Sequence, residues 1–150
     1  MDSVWLAVVT LAVAAAGGLL PFINVEAWLL GVSAVCPGAA LVPVVLAASL
    51  GQVAAKILLY RAGGEVRGWG ARRSGRLAGA VQRLEGAASH GTAVVFASAL
   101  TGVPPFYLVS VAAGVVRFHF PRFLALALVG RVLRFTAVFL IPRLVSVPGP

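Results

Sequence analysis

Glu26, Lys56, Arg131 and Arg134 have the strongest claim to chemistry in this sequence, because each lies inside or at the edge of a long apolar run. A charged side chain at bilayer depth costs about 2.5–3.5 kcal/mol on insertion scales, so such groups face a cavity or one another and mark function. Along a helix rising 1.5 Å per residue, Arg131 is about 14 Å beyond Arg122 and Arg134 about 12 Å before Pro142. Neither guanidinium is within easy snorkelling distance of an interface. Their i, i+3 spacing puts both on one helix face, and two planar, always-charged forks suit a phosphate or carboxylate. The competing reading is a structural ion pair in which Glu26 neutralises one arginine. One carboxylate cannot satisfy two arginines, so anion binding by Arg131 and Arg134 is favoured. Glu26 keeps two readings: a proton-linked acid in a transport cycle, or an ionised gating partner of one arginine. Lys56 lies four residues before Tyr60, and its stem is expected to snorkel to the interface.

The elements that must position these residues are apolar. Of 150 residues, 61% are hydrophobic and 11% charged, and the mean hydropathy is +1.02. A soluble globule this small has too high a surface-to-volume ratio to hide so much apolar surface. A soluble enzyme, a disordered tail and a secreted disulfide scaffold are excluded. Three uncharged stretches, Ser3–Val25, Ala27–Ala55 and Gly91–Val116, each exceed the ~20 residues that carry a helix through a bilayer core. The chain reads as an integral membrane protein of one transmembrane domain over 1–150.

Val4–Leu20 is predicted as the first helix, with Trp5 as an interfacial anchor. Signal peptides begin with basic residues, whereas this terminus carries Asp2 and no Lys or Arg, so the helix is expected to stay uncleaved. Pro21 stops it, and Asn24 and Glu26 follow. Ala27–Cys36 reaches about 15 Å, half a bilayer, before Pro37-Gly38 breaks it. Ala39–Tyr60 is long enough to span. The second half repeats the theme: Gly91–Val103 ends at Pro104-Pro105, Phe106–Val116 is again of half-membrane length, and Phe123–Ile141 forms a final helix. Short broken segments in corresponding positions point to a transport site built from discontinuous helices. The alternative is complete helices with proline kinks. If 91–116 turns back, Arg117 and Arg122 share the side of the basic loop 61–90, and the positive-inside bias favours that hairpin. The expected fold is an all-α polytopic bundle with two re-entrant, Pro-broken hairpins and a cytoplasmic amphipathic helix. Pro21, Pro37, Gly38, Pro104, Pro105 and Gly114 would shape the breaks, and 143–150 would form a short tail.

Twelve basic residues against four acidic ones leave a net charge of +8. Six of the twelve lie in 61–90 and no nucleic-acid-binding motif accompanies them, so the charge reads as a topology signal placing that loop in the cytoplasm. Within it Leu77, Val81 and Leu84 recur at helical spacing with Arg73, Arg76 and Arg83 around them. That pattern predicts a helix lying on the membrane, its arginines towards anionic headgroups; the alternative is a helix packed on another subunit. Cys36 is the only cysteine, and His90 and His119 sit singly at the ends of apolar runs. No metal site and no cofactor is expected. No nucleophile, paired-carboxylate or phosphate-loop motif supports an enzyme.

Several features together resemble the DedA/VTT family of membrane proteins. Pro21-Phe-Ile-Asn-Val-Glu26 is similar to the acidic motif of its first re-entrant loop. Ala48-Ser-Leu-Gly51 leading to Tyr60-Arg-Ala-Gly63-Gly64 is similar to its glycine-rich helix. Gly102-Val-Pro-Pro-Phe106 with Ala112-Ala-Gly114 resembles its second re-entrant loop, and Gly130-Arg131 with Arg134-Phe135 its last helix. Where relatives carry an arginine after the second-loop proline, Phe106 and Tyr107 stand here. The resemblance implies two facing hairpins and a flippase- or scramblase-like activity, often proton-coupled. The expected partners are membrane lipids, with an anionic lipid headgroup as substrate, and a homo-oligomer is compatible with this. The expected location is the plasma (inner) membrane of a prokaryote. The competing reading is a non-transporting assembly or interaction protein whose arginines pair structurally.

Overall fold

The computed structural model describes residues 3–20, 22–36, 38–65, 75–85 and 88–145. Pro21, Pro37 and Arg73 fall outside them. Among the described residues the protein is all helical: α1 (Ser3–Leu19), α2 (Val25–Val35), α3 (Leu41–Glu65), α4 (Gly75–Glu85), α5 (Ala88–Thr101), α6 (Phe106–Val115) and α7 (Phe120–Val145), with a single 3-10 turn at Gly38–Ala40 leading into α3. Every helix predicted from the apolar runs is present, with ends shifted by a few residues. The largest shift is in α3, which runs past Tyr60 to Glu65.

Among the described residues two segments are long and apolar enough to cross a membrane: Gly38–Glu65, 28 residues of hydropathy 1.9, and Phe120–Pro142, 23 residues of hydropathy 2.1. Their outer faces stay apolar. Leu46 and Leu50 of α3 and Val129, Leu133 and Ile141 of α7 are each about half exposed, a surface that soluble monomers rarely present.

α3 and α7 pack antiparallel along the centre. Near the end of α3, the Tyr60 ring meets Phe120 at 5.3 Å and Phe123 at 5.1 Å, while near its start Val44 and Val45 share a cluster with Phe135 and Phe139. Two hydrophobic cores result. One gathers α1, α2, the first half of α3 and the last half of α7. The other gathers α4, α5, α6, the later part of α3 and the start of α7.

The shorter helices are arranged around this pair. α1 runs beside α3, with the Gly51 backbone against Leu11 and Gly18 against Ala55. α2 then returns along α7, where the Ser33 hydroxyl donates to the Phe139 carbonyl. α5 leaves from beside Phe118, next to Gly91. The chain breaks at 102–105, and α6 comes back to end close to Phe118, whose carbonyl accepts the Tyr60 hydroxyl. At the break the Ser98 hydroxyl donates to the Pro104 carbonyl at 2.5 Å and the Val103 amide donates to the Thr101 hydroxyl at 3.1 Å. Pro104 and Pro105 therefore occupy the turn itself, Gly102 adopts φ +80° there, and Gly38 opens the 3-10 turn before α3.

Gly114 has a different place from the one its sequence position suggests. It lies inside α6, where an added Cβ would strike the Tyr60 carbonyl, and Gly63 stands in the same relation to the Val111 carbonyl. These two glycines let α3 and α6 touch backbone to backbone, the arrangement that small residues allow between membrane helices. The contact also accounts for the length of α3, since Gly63 lies beyond the predicted end.

α4 corrects a second expectation. Its apolar stripe does not face lipid: Val81 and Leu84, with Ala80, are buried in the second core, and Leu77 packs against it. The surfaces that cover the stripe belong to α5 and α6 of the same chain. Arg76 and Arg83 remain exposed, on the flank of the stripe that borders the α5–α6 break.

Candidate functional site

A cavity of about 310 Å³ opens where the two cores meet, halfway along α7. Four helix ends converge on it. α1 and α5 finish there, α2 and α6 begin there, and each end exposes backbone groups that its own helix cannot satisfy. The residues that face the cavity include Glu26, Gln52, Lys56, Phe106, Arg131 and Arg134. Three cations against one carboxylate leave it with a formal charge of +2.

The two arginines, equivalent by spacing, have different surroundings. Arg134 is committed to protein. Its Nε donates to Glu26 Oε1 at 2.6 Å, its Nη2 pairs with the same oxygen, and its Nη1 donates to the Leu100 carbonyl at 2.9 Å. Leu100 is in the last turn of α5 and Glu26 in the first turn of α2, so one guanidinium ties both chain breaks together. Each contact has a local cause. A cation suits the carbonyl end of a helix and a carboxylate the amide end. Asn24 caps α2, its Oδ1 accepting from Glu26 N at 3.0 Å and Ala27 N at 3.1 Å, which fixes where Glu26 projects. Gly102 lies against the same guanidinium, and an added Cβ would sit 3.3 Å from Nη1.

Arg131, one turn earlier, is only 8% exposed. Its guanidinium lies 4.8 Å from the Phe106 ring centre and 5.8 Å from that of Phe135. Among the described residues its buried Nε has no hydrogen-bond partner. Two ring faces supply about 1–2 kcal/mol each when desolvated, and a buried donor without a partner costs about 1–3 kcal/mol. The site thus holds a planar cation whose Nε is left without an acceptor among the described residues.

Lys56 departs from the snorkelling expectation. It is buried, and its Nζ donates to the carbonyl of Gly18 in the last turn of α1 at 2.5 Å. The ammonium lies 6.0 Å from the Phe106 ring centre, so Phe106 has Lys56 and Arg131 as neighbours. Gln52 and Phe106 are site residues that sequence reasoning left out, and Lys56 is one that it assigned to the interface. The signal was present for Lys56, an ionisable residue in a spanning run, but the position of the α1 terminus is what makes it part of the cavity.

The Glu26–Arg134 pair is partly exposed, with side chains 37% and 21% accessible, which moderates its contribution. A double-mutant cycle of Glu26→Gln and Arg134→Gln is expected to return a coupling of about 1 kcal/mol in thermal unfolding. Additive effects would show that the two side chains do not interact.

Neither a curated protein nor a solved structure matches the chain. The VTT domain matches residues 8–143, a span that takes in both breaks, α3, nearly all of α7 and the whole cavity. The chain therefore belongs to the VTT-domain family, the DedA and SNARE-associated Golgi proteins, and is a membrane protein of that family.

Proposed function

We propose that this protein moves a phosphate-bearing lipid, or a similar amphiphile, across the bilayer, with Arg131 holding the anion in the central cavity. The observation that carries this reading is the buried Arg131 guanidinium, whose Nε has no hydrogen-bond partner among the described residues, in a cavity with two more cations than anions. Neighbouring groups have matching chemistry. α6 begins at the cavity with no side-chain cap, and the amide end of a helix favours an anion. Lys56 adds a second positive charge, and the rings of Phe106 and Phe135 keep the site apolar at its sides. The family is linked to lipid scrambling and is generally not enzymatic, in keeping with binding chemistry alone.

In this reading Glu26 and Arg134 form a gate. While the pair holds, both breaks are pinned to α7; when Glu26 takes a proton or yields Arg134 to an incoming anion, the breaks separate. Segments 4–36 and 91–116 are the re-entrant hairpins, entering from opposite faces and meeting at the cavity. Loop 61–90 belongs to the cytoplasmic side, its α4 packed inward against α5 and α6.

Lipid movement in reconstituted vesicles tests the function. Wild-type protein is expected to expose inner-leaflet fluorescent phospholipid to an external quencher, and Arg134→Gln to change the rate by loosening both breaks. Vesicles with protein that lose no more signal than empty ones would support the non-transporting reading instead. Topology is tested by thiol labelling in a Cys36→Ser background. Arg61→Cys and His119→Cys, both at exposed positions, are expected to react from the same side of the membrane. Reaction from opposite sides would rule out the second hairpin.

A further inference from the structure

A second cavity of about 350 Å³ lies on the reverse side of the α5–α6 break. Its walls are Arg76, Gly79 and Arg83 of α4 and Pro104, Pro105 and Leu108 of the break and α6. Pro105 also lines the central cavity, so the tip of one hairpin separates the two spaces.

The arginines of α4 need an explanation that a surface helix does not supply. A helix lying on a bilayer buries its apolar stripe in lipid and turns its basic residues to the headgroups. Here the stripe is covered by α5 and α6, yet Arg76 and Arg83 are exposed and flank a concave space. Neither makes an ion pair with a described carboxylate. Before and between them the helix offers glycine: a Cβ added at Gly75 or Gly79 would meet nothing within 4 Å. The floor is apolar, made by two prolines and a leucine. Two cationic forks about two turns apart over an apolar floor match a phosphodiester joined to acyl chains, and the volume falls within the range of about 300–1,000 Å³ usual for small-molecule sites.

We propose that this cavity is a binding site for the headgroup of an anionic phospholipid, held by Arg76 and Arg83 against the outer face of the hairpin tip. Binding there is independent of whether the protein transports. If it does, a headgroup at this site is one hairpin tip away from Arg131, which makes it a waiting position for the central cavity, and that clause alone rests on the proposed function.

The test measures retained phosphatidylglycerol by native mass spectrometry of the full chain in detergent, with phosphatidylcholine as the neutral comparison. Wild-type protein is expected to retain the anionic lipid about tenfold better than the neutral one. Gly79→Leu keeps both arginines and extends into the open space from a Cβ that meets nothing within 4 Å, and it is expected to abolish that preference, as is the double variant Arg76→Gln/Arg83→Gln. Arg131→Gln is expected to retain the preference, because it lies in the other cavity. Equal retention by wild type, Gly79→Leu and the double arginine variant would overturn the proposal. So would displacement of phosphatidylglycerol by millimolar inorganic phosphate, since the site would then read phosphate without lipid. Retention without lipid movement in vesicles would refute transport and leave this site standing; lipid movement without retention would do the reverse.

Discussion

Arg131→Gln is expected to slow lipid movement in reconstituted vesicles about 10- to 100-fold while leaving the fold intact. A charge-assisted hydrogen bond to an anion contributes about 1.5–3 kcal/mol, and each 1.4 kcal/mol is tenfold in an equilibrium constant. The variant removes that interaction and little else, because the buried Nε has no partner among the described residues and the remaining contacts are with two aromatic rings. Its thermal midpoint is expected to match or exceed that of wild type, since a buried cation with an unpartnered Nε is costly at membrane depth. Arg131→Lys separates charge from shape. A lysine keeps the charge but loses the planar fork and its stacking, so an intermediate rate is expected. Arg134→Gln supplies the contrast, with a lowered midpoint, because Arg134 ties Glu26 to the Leu100 carbonyl. The measurement is quenching of a fluorescent phospholipid, with unfolding followed on the same preparations. A wild-type rate from Arg131→Gln would remove Arg131 from the site.

Gly114→Val is expected to destabilise the protein by about 3 kcal/mol, the upper end of the usual cost of overpacking. The reason is the hardness of what the new side chain would meet. At Gly114 it is the backbone of α3, the Tyr60 carbonyl and the Gly64 amide, rather than the flexible end of a side chain. α6 would have to lift from α3, and that would disturb Phe106, which sits in the second core and beside Arg131. Gly31→Ala is the control. A Cβ at Gly31 meets nothing within 4 Å, and alanine is favoured over glycine in a helix by up to about 1 kcal/mol, so that variant is expected to be neutral or slightly stabilised. Unfolding in a graded detergent mixture reads both. Equal stability of Gly114→Val and wild type would mean that α3 and α6 do not touch as described.

The helices and their breaks were legible in the sequence because both depend on local properties. Apolar runs, prolines and glycines mark α1, α2, α5, α6 and α7 to within a few residues, and the loop stripe Leu77, Val81 and Leu84 marks α4. Glu26, Arg131 and Arg134 could be singled out for the same reason: a charge is conspicuous in an apolar run, and its cost does not depend on what lies nearby.

What each charge does is decided by contacts far along the chain. Arg131 and Arg134 are one helical turn apart and chemically identical, yet the α2 and α5 ends reach only the second, which makes it a clamp and leaves the Nε of the first without a partner among the described residues. Lys56 is close enough in sequence to Tyr60 to suggest snorkelling, and a carbonyl 38 residues away holds it inside instead. The stripe of α4 predicted a partner surface correctly but not which surface, since periodicity reports that a face is apolar and says nothing of what covers it. By itself the sequence determined a charge-poor, helical membrane protein with paired breaks and a few costly charges, all properties set within a turn or two of each residue. Only the tertiary structure decided which charges neutralise one another and which is left over, because that depends on helix ends meeting across more than a hundred residues of chain.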